Sequence, residues 1–273
     1  MIKAKKSLGQ NFLIDKNVSR RIVESVSPQK GDLIIEIGPG TGALTHLLTE
    51  FAGRVIAFEI DTRLVEGLRL SLSASNLEVI EADALDLDWK QFLTGRRQSG
   101  AERLRVRVVA NLPYYISTAI LQKLIEQHDL IFDMTLMLQT EVVERIAAAP
   151  GGRDYGYLSV LVQYYSEAGK LFDVPPSAFR PAPKVNSAVV RLVMRERPPV
   201  EVSSEDDFFA LVRAAFAQRR KTILNNLKAA HARLAFNIPI EQALEQAKID
   251  SRTRAEALSL ADFAALHRAM TRK

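Results

Sequence analysis

Residues 33–51 read LIIEIGPGTGALTHLLTEF. The first five, Leu33 to Ile37, form a short apolar run rich in Leu and Ile, the composition of a strand buried on both faces. The last nine, Ala43 to Phe51, are amphipathic with helical spacing. Between them lie Gly38, Gly40 and Gly42. Glycine has no Cβ and can take positive φ, so a ligand can approach such a turn closely. A strand, a glycine-rich turn and a helix in this order open many open α/β sheets, where nucleosides bind beyond the strand ends.

Working outward, the alternation continues. Apolar runs recur at Val55–Phe58, Leu77–Ile80, Val106–Ala110 and Met134–Leu138. Amphipathic stretches separate them at Arg63–Ala74, Thr118–His128 and Thr140–Ala148. This βαβ pattern predicts an α/β fold with a mostly parallel sheet and helices on both faces. Two further strands are expected at Leu171–Val174 and Ala188–Met194. They flank DVPPSAFRPAPKVNS (173–187), whose prolines predict a loop without regular structure. GRRQSGAER (95–103) reads as an exposed loop.

RERPPVEVSSEDD (195–207) is a proline- and charge-rich linker. Beyond it, residues 208–234 (FFALVRAAFAQRRKTILNNLKAAHARL) and later segments read as helices. Ser251–Thr253 and Ser259 are candidate helix caps. The predicted division is residues 1–194 and a smaller, all-α domain at 195–273.

Composition narrows the chemistry. The chain has 273 residues, 47% hydrophobic and 25% charged, and no cysteine, so disulfides, thiolate metal sites and cysteine nucleophiles are excluded. The four histidines are far apart in sequence, and no metal is expected. The basic N-terminus has no long apolar core, so neither a secretory signal nor a membrane span is predicted, and a cytoplasmic location is expected. Residues 1–30 carry 7 basic and 2 acidic side chains and residues 195–273 carry 14 and 10, whereas residues 31–194 carry 16 and 20. Positive ends around an acidic middle suit a polyanionic partner; a solvated surface is the plainer reading.

The nucleoside contacts are predicted at three strand ends. Gly38 and Gly40 stand in the first turn. Glu59, in AFEID, follows Gly38 by 21 positions, the distance at which an acid can hold ribose hydroxyls. Asp83 and Ala84, in EADALDLD, lie beyond the third strand. The order G-P-G-T-G differs from the GxGxxG of dehydrogenases, which leaves NAD as a minor competitor, and no Walker lysine is present. EIGPGTG resembles motif I of the S-adenosylmethionine-dependent methyltransferases.

The fourth strand leads into Asn111-Leu112-Pro113-Tyr114. Asn, Pro and Tyr are ordinary turn and rim residues. In this place, however, they look like the motif IV of methyltransferases that act on nucleobase amino groups. An exocyclic amine is a weak nucleophile because its lone pair is delocalised into the ring. The Asn111 oxygen can accept one N–H, and a carbonyl near Leu112, aimed by Pro113, can accept the other. Tyr114 offers a stacking face. Phe179, in AFRPAPKV, is a candidate for the other face, with Lys184 near phosphate; a core anchor is the plainer role for Phe179.

Taken together, KKSLGQNFLID (5–15), EIGPGTG, FEID, EADAL, NLPYYIS, LMLQTEVVERIAA (136–148) and FRPAPKVNSAVVRL (179–192) resemble the ribosomal RNA adenine dimethyltransferases. The match is dense through residue 194 and looser through AAFAQRRKTILNNL (214–227). It is most like the bacterial small-subunit enzymes of the KsgA type. The resemblance implies a Rossmann-like S-adenosylmethionine-dependent methyltransferase domain and S-adenosylmethionine as cofactor. It places Asn11, Leu13, Gly38, Glu59, Asp83 and Asn111 around that cofactor. It further implies dimethylation of two adjacent adenosines near the 3′ end of 16S rRNA, within the small ribosomal subunit or its precursor, during subunit biogenesis. Two alternatives stay open: a large-subunit rRNA methylase of the antibiotic-resistance type, and a non-catalytic assembly factor. RNA selection is expected to involve Arg213, Arg219, Arg220, Lys221 and Lys228, with Arg213, Arg220 and Lys228 on one broad helical face. A monomer is expected.

Overall fold

The computed structural model describes residues 3–98, 105–231, 234 and 237–271. Its chain divides into two compact units, one of residues 1–143 with 167–195, the other of residues 144–166 with 196–273.

The first unit is built on a sheet whose strands are β2 (Asp32–Ile37), β3 (Arg54–Glu59), β4 (Leu77–Glu81), β5 (Arg105–Asn111), β6 (Asp133–Gln139), β7 (Ser166–Val174) and β9 (Ser187–Met194). Their order across the sheet is β4-β3-β2-β5-β6-β9-β7. The pairs β4/β3, β3/β2, β2/β5 and β5/β6 are parallel, and β6/β9 is antiparallel. All six residues of β2 are buried, which explains the continuous apolar run in its sequence. Three helices stand near their predicted places: α2 (Thr45–Phe51), α3 (Thr62–Ser71) and α5 (Ser117–Ile125). α6 (Thr140–Ala147) does so too.

Two helices were not expected. α1 (Lys16–Val26) is capped by Asp15, whose carboxylate accepts from the Asn17 and Val18 N–H groups, and it buries Val18, Ile22, Val23 and Val26. α4 (Trp89–Gln98) takes in residues 95–98 of the predicted loop, and 99–103 lie outside the described residues. The proline-rich stretch also holds more structure than its composition predicts. A single 3₁₀ turn, Pro176–Ala178, leads into a two-residue strand, β8 (Phe179–Arg180). β8 pairs antiparallel with β1 (Phe12–Leu13), in register Phe12 to Arg180 and Leu13 to Phe179. Proline at the start of the turn needs no N–H there, and the Phe179 N–H closes the turn by donating to the Pro176 carbonyl.

The second unit is helical. It contains α7 (Tyr157–Tyr165), α8 (Glu205–Ala215), α9 (Ile223–Ala230), α10 (Ile240–Gln246) and α11 (Leu260–Thr271). Residues 144–166 were expected in the first domain; the structure groups them here instead. The reason is apolarity on nearly every face of α7, which buries seven of its nine residues. Its rings find partners in α8, with Tyr164 against Phe208 at 5.3 Å and Tyr165 stacked on Phe209 at 5.5 Å. Glu205 accepts from the hydroxyls of both tyrosines, at 3.1 and 2.6 Å.

The single helical face proposed for Arg213, Arg220 and Lys228 does not exist, because the helix breaks between residues 215 and 223. Asn226 donates its side-chain amide to the Ala215 and Gln218 carbonyls, at 2.6 and 3.1 Å, taking the place of helix continuation. Thr222 then caps α9 by accepting from the Asn225 N–H. Ser259 exchanges hydrogen bonds with Asp262 at the start of α11, the cap expected of it. The short turn after Thr253 (Ala255–Ala257) has no side-chain cap. Among the described residues, no helix is long and apolar enough to cross a membrane.

Candidate active site

β2 is the switch point of the sheet. From it the chain runs outward through β3 and β4, then returns to β5 on the other side. Parallel strands that diverge in this way leave a crevice beyond their carboxyl ends. A cavity of about 200 Å³ lies there, lined by the ends of β2, β3 and β5, the turn after β4, and residues 8–13.

The glycine turn forms one wall. Gly38, Gly40 and Gly42 all have positive φ, at 69°, 58° and 86°. At Gly40 a side chain would also be crowded, since a Cβ there would sit 3.1 Å from the Phe12 ring. The turn is tied to the neighbouring strand by the Gly38 N–H, which donates to the Phe58 carbonyl at 2.9 Å.

Two buried carboxyls face this cavity. Glu59 accepts from the Gly40 N–H at 3.2 Å and the Asp61 N–H at 3.0 Å. Burial nonetheless pushes its pKa up, against the lowering effect of those backbone donors. Glu36 is more exceptional. It is 1% exposed, and among the described residues neither its Oε2 nor the nearby Thr45 Oγ1 makes a hydrogen bond of normal geometry. Burial pushes Glu36 up to about 8; proximity of the Thr45 hydroxyl partly offsets this and the charge of Glu59 adds to it. An orphaned acid oxygen in a cavity wall fits a cationic or hydrogen-bond-donating ligand.

Asp83 and Ala84 close another side. Asp83 folds its turn by accepting from the Leu85 N–H at 2.8 Å. The Ala84 carbonyl accepts from the Trp89 indole at 2.9 Å, and Trp89 meets Phe58 edge-on at 5.4 Å.

The stretch 111–114 completes the cavity. The Asn111 amide donates through Nδ2 to the Asn11 carbonyl at 3.3 Å, which leaves Oδ1 turned to other partners. Leu112 is buried, and its N–H donates to the Met137 carbonyl at 3.3 Å. The Tyr114 hydroxyl shares a 2.6 Å hydrogen bond with Ser187 Oγ, and burial raises its pKa. Ser117 donates to the Tyr114 carbonyl at 3.1 Å, so the ring is held from both ends.

The cavity therefore brings together Asn11, Leu13, Gly38, Gly40, Glu59, Asp83, Ala84, Asn111, Leu112, Pro113 and Tyr114. Phe179 is not among them. Its ring is 4% exposed and packs in the core with Leu13, Val18, Ile22 and Ala178. The expected role as a second stacking face is corrected to that of a loop anchor, because pairing of β8 with β1 turns the ring inward. Lys184 is exposed. The cavity also has lining residues that the motif reading passed over, Gln10, Phe12, Glu36 and Tyr115 among them. For Glu36 a signal existed, an acid inside the otherwise apolar run Leu33–Ile37. Among the described residues, no group of three or more His, Asp or Glu could hold a metal ion.

Known proteins resemble this chain in sequence and in fold. A family model described as "Ribosomal RNA adenine dimethylase" matches residues 1–268. The chain belongs to that family. It is 49% identical over 267 residues to the "Ribosomal RNA small subunit methyltransferase A" of Shouchella clausii, covering 97% of this chain and 89% of the relative. It is 46% identical to the protein of the same description from Geobacillus thermodenitrificans, covering 97% and 90%. Among solved structures, a dimethyladenosine transferase from Plasmodium falciparum aligns with a TM-score of 0.74 at 28% identity, covering 93% of this chain and 95% of the other. The 23S rRNA methyltransferase ErmE aligns with a TM-score of 0.70 at 27% identity, covering 95% and 99%.

The chain is thus an S-adenosylmethionine-dependent rRNA adenine dimethyltransferase. The cavity suits that cofactor. It offers a glycine turn that a Cβ would obstruct, a carboxyl ordered by two backbone donors, and an orphaned acid oxygen.

Proposed function

We propose that this chain methylates the 6-amino groups of two adjacent adenosines near the 3′ end of 16S rRNA, as a monomer, in cytoplasmic small-subunit biogenesis. One observation carries the choice of subunit. Relatives described as small-subunit methyltransferases are 46–49% identical over 97% of the chain, including the helical second unit. Identity to the 23S enzyme is 27%.

S-adenosylmethionine, when bound, supplies a methyl group on a positively charged sulfur. Gly38 and Gly40 would border its methionine end, Glu59 would take the ribose hydroxyls, and Asp83 with Ala84 would meet its adenine, while Asn11 and Leu13 would cover it. Asn111 Oδ1 accepts one N–H of the substrate amine, because Nδ2 is already committed to the Asn11 carbonyl. The Leu112 carbonyl, directed by Pro113, accepts the other. These two bonds orient the nitrogen, and most of the acceleration comes from that positioning rather than from a base. Tyr114, fixed by Ser187 and Ser117, presents a ring to the base. The base reaches this cavity only when unpaired or extruded from its stack.

RNA recognition is assigned in part to the second unit. Of its five candidate cations, Arg213 stacks over the Tyr157 ring at 5.2 Å, Arg219 pairs with Glu256 at 3.6 Å, and Lys228 pairs with Glu241 at 2.5 Å. Arg220 and Lys221 are exposed and make no ion pair among the described residues, so they are the phosphate contacts we favour. Loss of one such contact is expected to lower the salt slope of binding by about one.

The test offers methyl-labelled S-adenosylmethionine with undermethylated small subunits, large subunits and naked rRNA, and locates dimethyladenosine by mass spectrometry. Label at adjacent adenosines of the small subunit is the expected result. Label in large-subunit RNA alone would move the protein to the resistance methylases. Binding to small subunits without label would make it an assembly factor.

A further inference from the structure

Asp61 has no part in the chemistry above, yet its carboxylate has more partners than any motif residue in the cavity. The side chain is fully buried, just before α3. Oδ1 accepts from Lys5 Nζ at 3.0 Å and Arg63 Nε at 3.0 Å, and Oδ2 from Gln10 Nε2 at 3.1 Å and Arg63 Nη2 at 2.6 Å. The Arg63 guanidinium, chief among these donors, holds the Asp61 carboxyl well below the usual carboxylate range. The backbone of the same residue faces the other way, donating its N–H to Glu59 Oε1 at 3.0 Å.

Lys5 and Gln10 bracket a short closed loop. The Lys5 N–H donates to Gln10 Oε1 at 2.7 Å, and a 3₁₀ turn, Lys6–Leu8, lies between. Gly9 ends that turn at φ 59°, where a Cβ would stand 3.0 Å from the Tyr115 ring. Residues 8–13 then line the cavity. Arg63 also reaches back to the Lys3 carbonyl at 3.4 Å. One buried anion thus bridges two cations, one on each side of the seam between residues 3–10 and the turn that bears Glu59. Without it Lys5 and Arg63 would face each other as like charges, and Gln10 would lose its acceptor.

We propose that Asp61 is a positioning residue for the cofactor: its carboxylate clasps residues 5–10 down as a wall of the cavity, while its N–H sets the Glu59 carboxyl inside it. The proposal rests on reading this cavity as the S-adenosylmethionine site. It makes cofactor retention dependent on a clasp that touches no cofactor atom.

Asp61→Asn keeps the N–H to Glu59 and the size of the side chain but removes the charge. Binding of S-adenosylhomocysteine is measured by calorimetry, and limited trypsin cleavage after Lys5 and Lys6 is followed by mass spectrometry on the full chain without cofactor. The expected result is a dissociation constant raised at least about tenfold, the scale of a lost charged hydrogen bond. Cleavage should be faster, and KM for S-adenosylmethionine should rise with kcat little changed. Lys5→Met, an exposed-side change that folding tolerates more readily, should move the affinity and the cleavage after Lys6 the same way by less. Unchanged affinity together with unchanged cleavage in both variants overturns the clasp. Failure of the unaltered protein to bind S-adenosylhomocysteine would instead overturn the cofactor reading, and the cleavage rates would still decide whether Asp61 holds the segment.

Discussion

β2 carries an acid near each end, and the two have opposite surroundings. Asp32 and Glu36 are 0% and 1% exposed. Asp32 accepts from Arg105 Nε at 3.0 Å, Arg107 Nη1 at 3.1 Å and the Gln29 N–H at 2.8 Å. Arg107 continues the network to Asp133 through two bonds of 2.7 Å, and Arg191 joins it there. Glu36, four residues on, leaves Oε2 without a partner among the described residues. Burial alone does not separate a structural acid from a functional one; what separates them is whether the protein supplies the counter-charge. At the amino end of the parallel strands it does, and the network holds the sheet. At the carboxyl end it does not, and the deficit faces the cavity.

The contrast breaks most visibly at its paired end. Asp133→Ala strips Arg107 and Arg191 of their shared carboxylate and leaves the buried Arg107 with Asp32 alone, so it is expected to cost up to about 3–5 kcal/mol in urea or thermal unfolding. Methylation per folded molecule should stay near normal, since the network lies away from the cavity. Asn111→Ala acts in the opposite sense. It should lower kcat by about a hundredfold or more, roughly 3 kcal/mol of barrier, with little change in RNA affinity or melting temperature. A rate equal to that of the unaltered protein would remove Asn111 from the reaction.

Glu36→Gln sharpens the comparison through pH. The Glu36 pKa is raised from 4.5 to about 8. Between those values the unfolded chain loses a proton that the folded chain keeps, so folded stability falls as pH rises, and the loss is complete above about 8. The variant is expected to match the unaltered protein near pH 4 and to exceed it by a few kcal/mol at pH 8.5, about 1.4 kcal/mol for each unit by which the pKa is raised. Melting curves across that range check it. If the unaltered protein instead gains relative stability with rising pH, Glu36 has a hidden partner and resembles Asp32 after all. The smallest effect is expected at Asp15, an acid whose only work is to cap α1. Asp15→Ala should cost about 1 kcal/mol, measured by urea unfolding, which sets the scale for a carboxylate bonded to backbone alone.

Much of the first unit was legible in the chain. Runs such as Leu33–Ile37 and Met134–Leu138 read as strands because both their faces are covered, and the sheet bears this out with fully or nearly fully buried strands. Residues of the cavity were legible where a backbone need leaves a residue-type signature, as in Gly38 and Gly40, or where a motif stands at a strand end, as in Glu59 and Asn111. Phe179 was not. A phenylalanine in a proline-rich loop looks the same in sequence whether it points to a cavity or to the core, and the two-residue pairing with β1 decides it. Residues 157–165 were equally ambiguous, since YLSVLVQYY is apolar at almost every position and states no preferred face. Nor does the run 208–234 announce its break, which depends on Asn226 reaching back to carbonyls of α8.

By itself, then, the sequence determined the succession of the buried parallel strands and of the helices α2, α3, α5 and α6 between them, the glycine turn and the set of strand-end residues. These depend on local periodicity and on backbone conformations that few residue types allow. Only the tertiary structure decided which acids are paired, where residues 144–166 belong, and that Asp61 joins Lys5 and Gln10 across more than fifty residues of chain. Those outcomes are matters of distance between groups remote in sequence, and a carboxylate carries no local mark of the partner that folding brings to it.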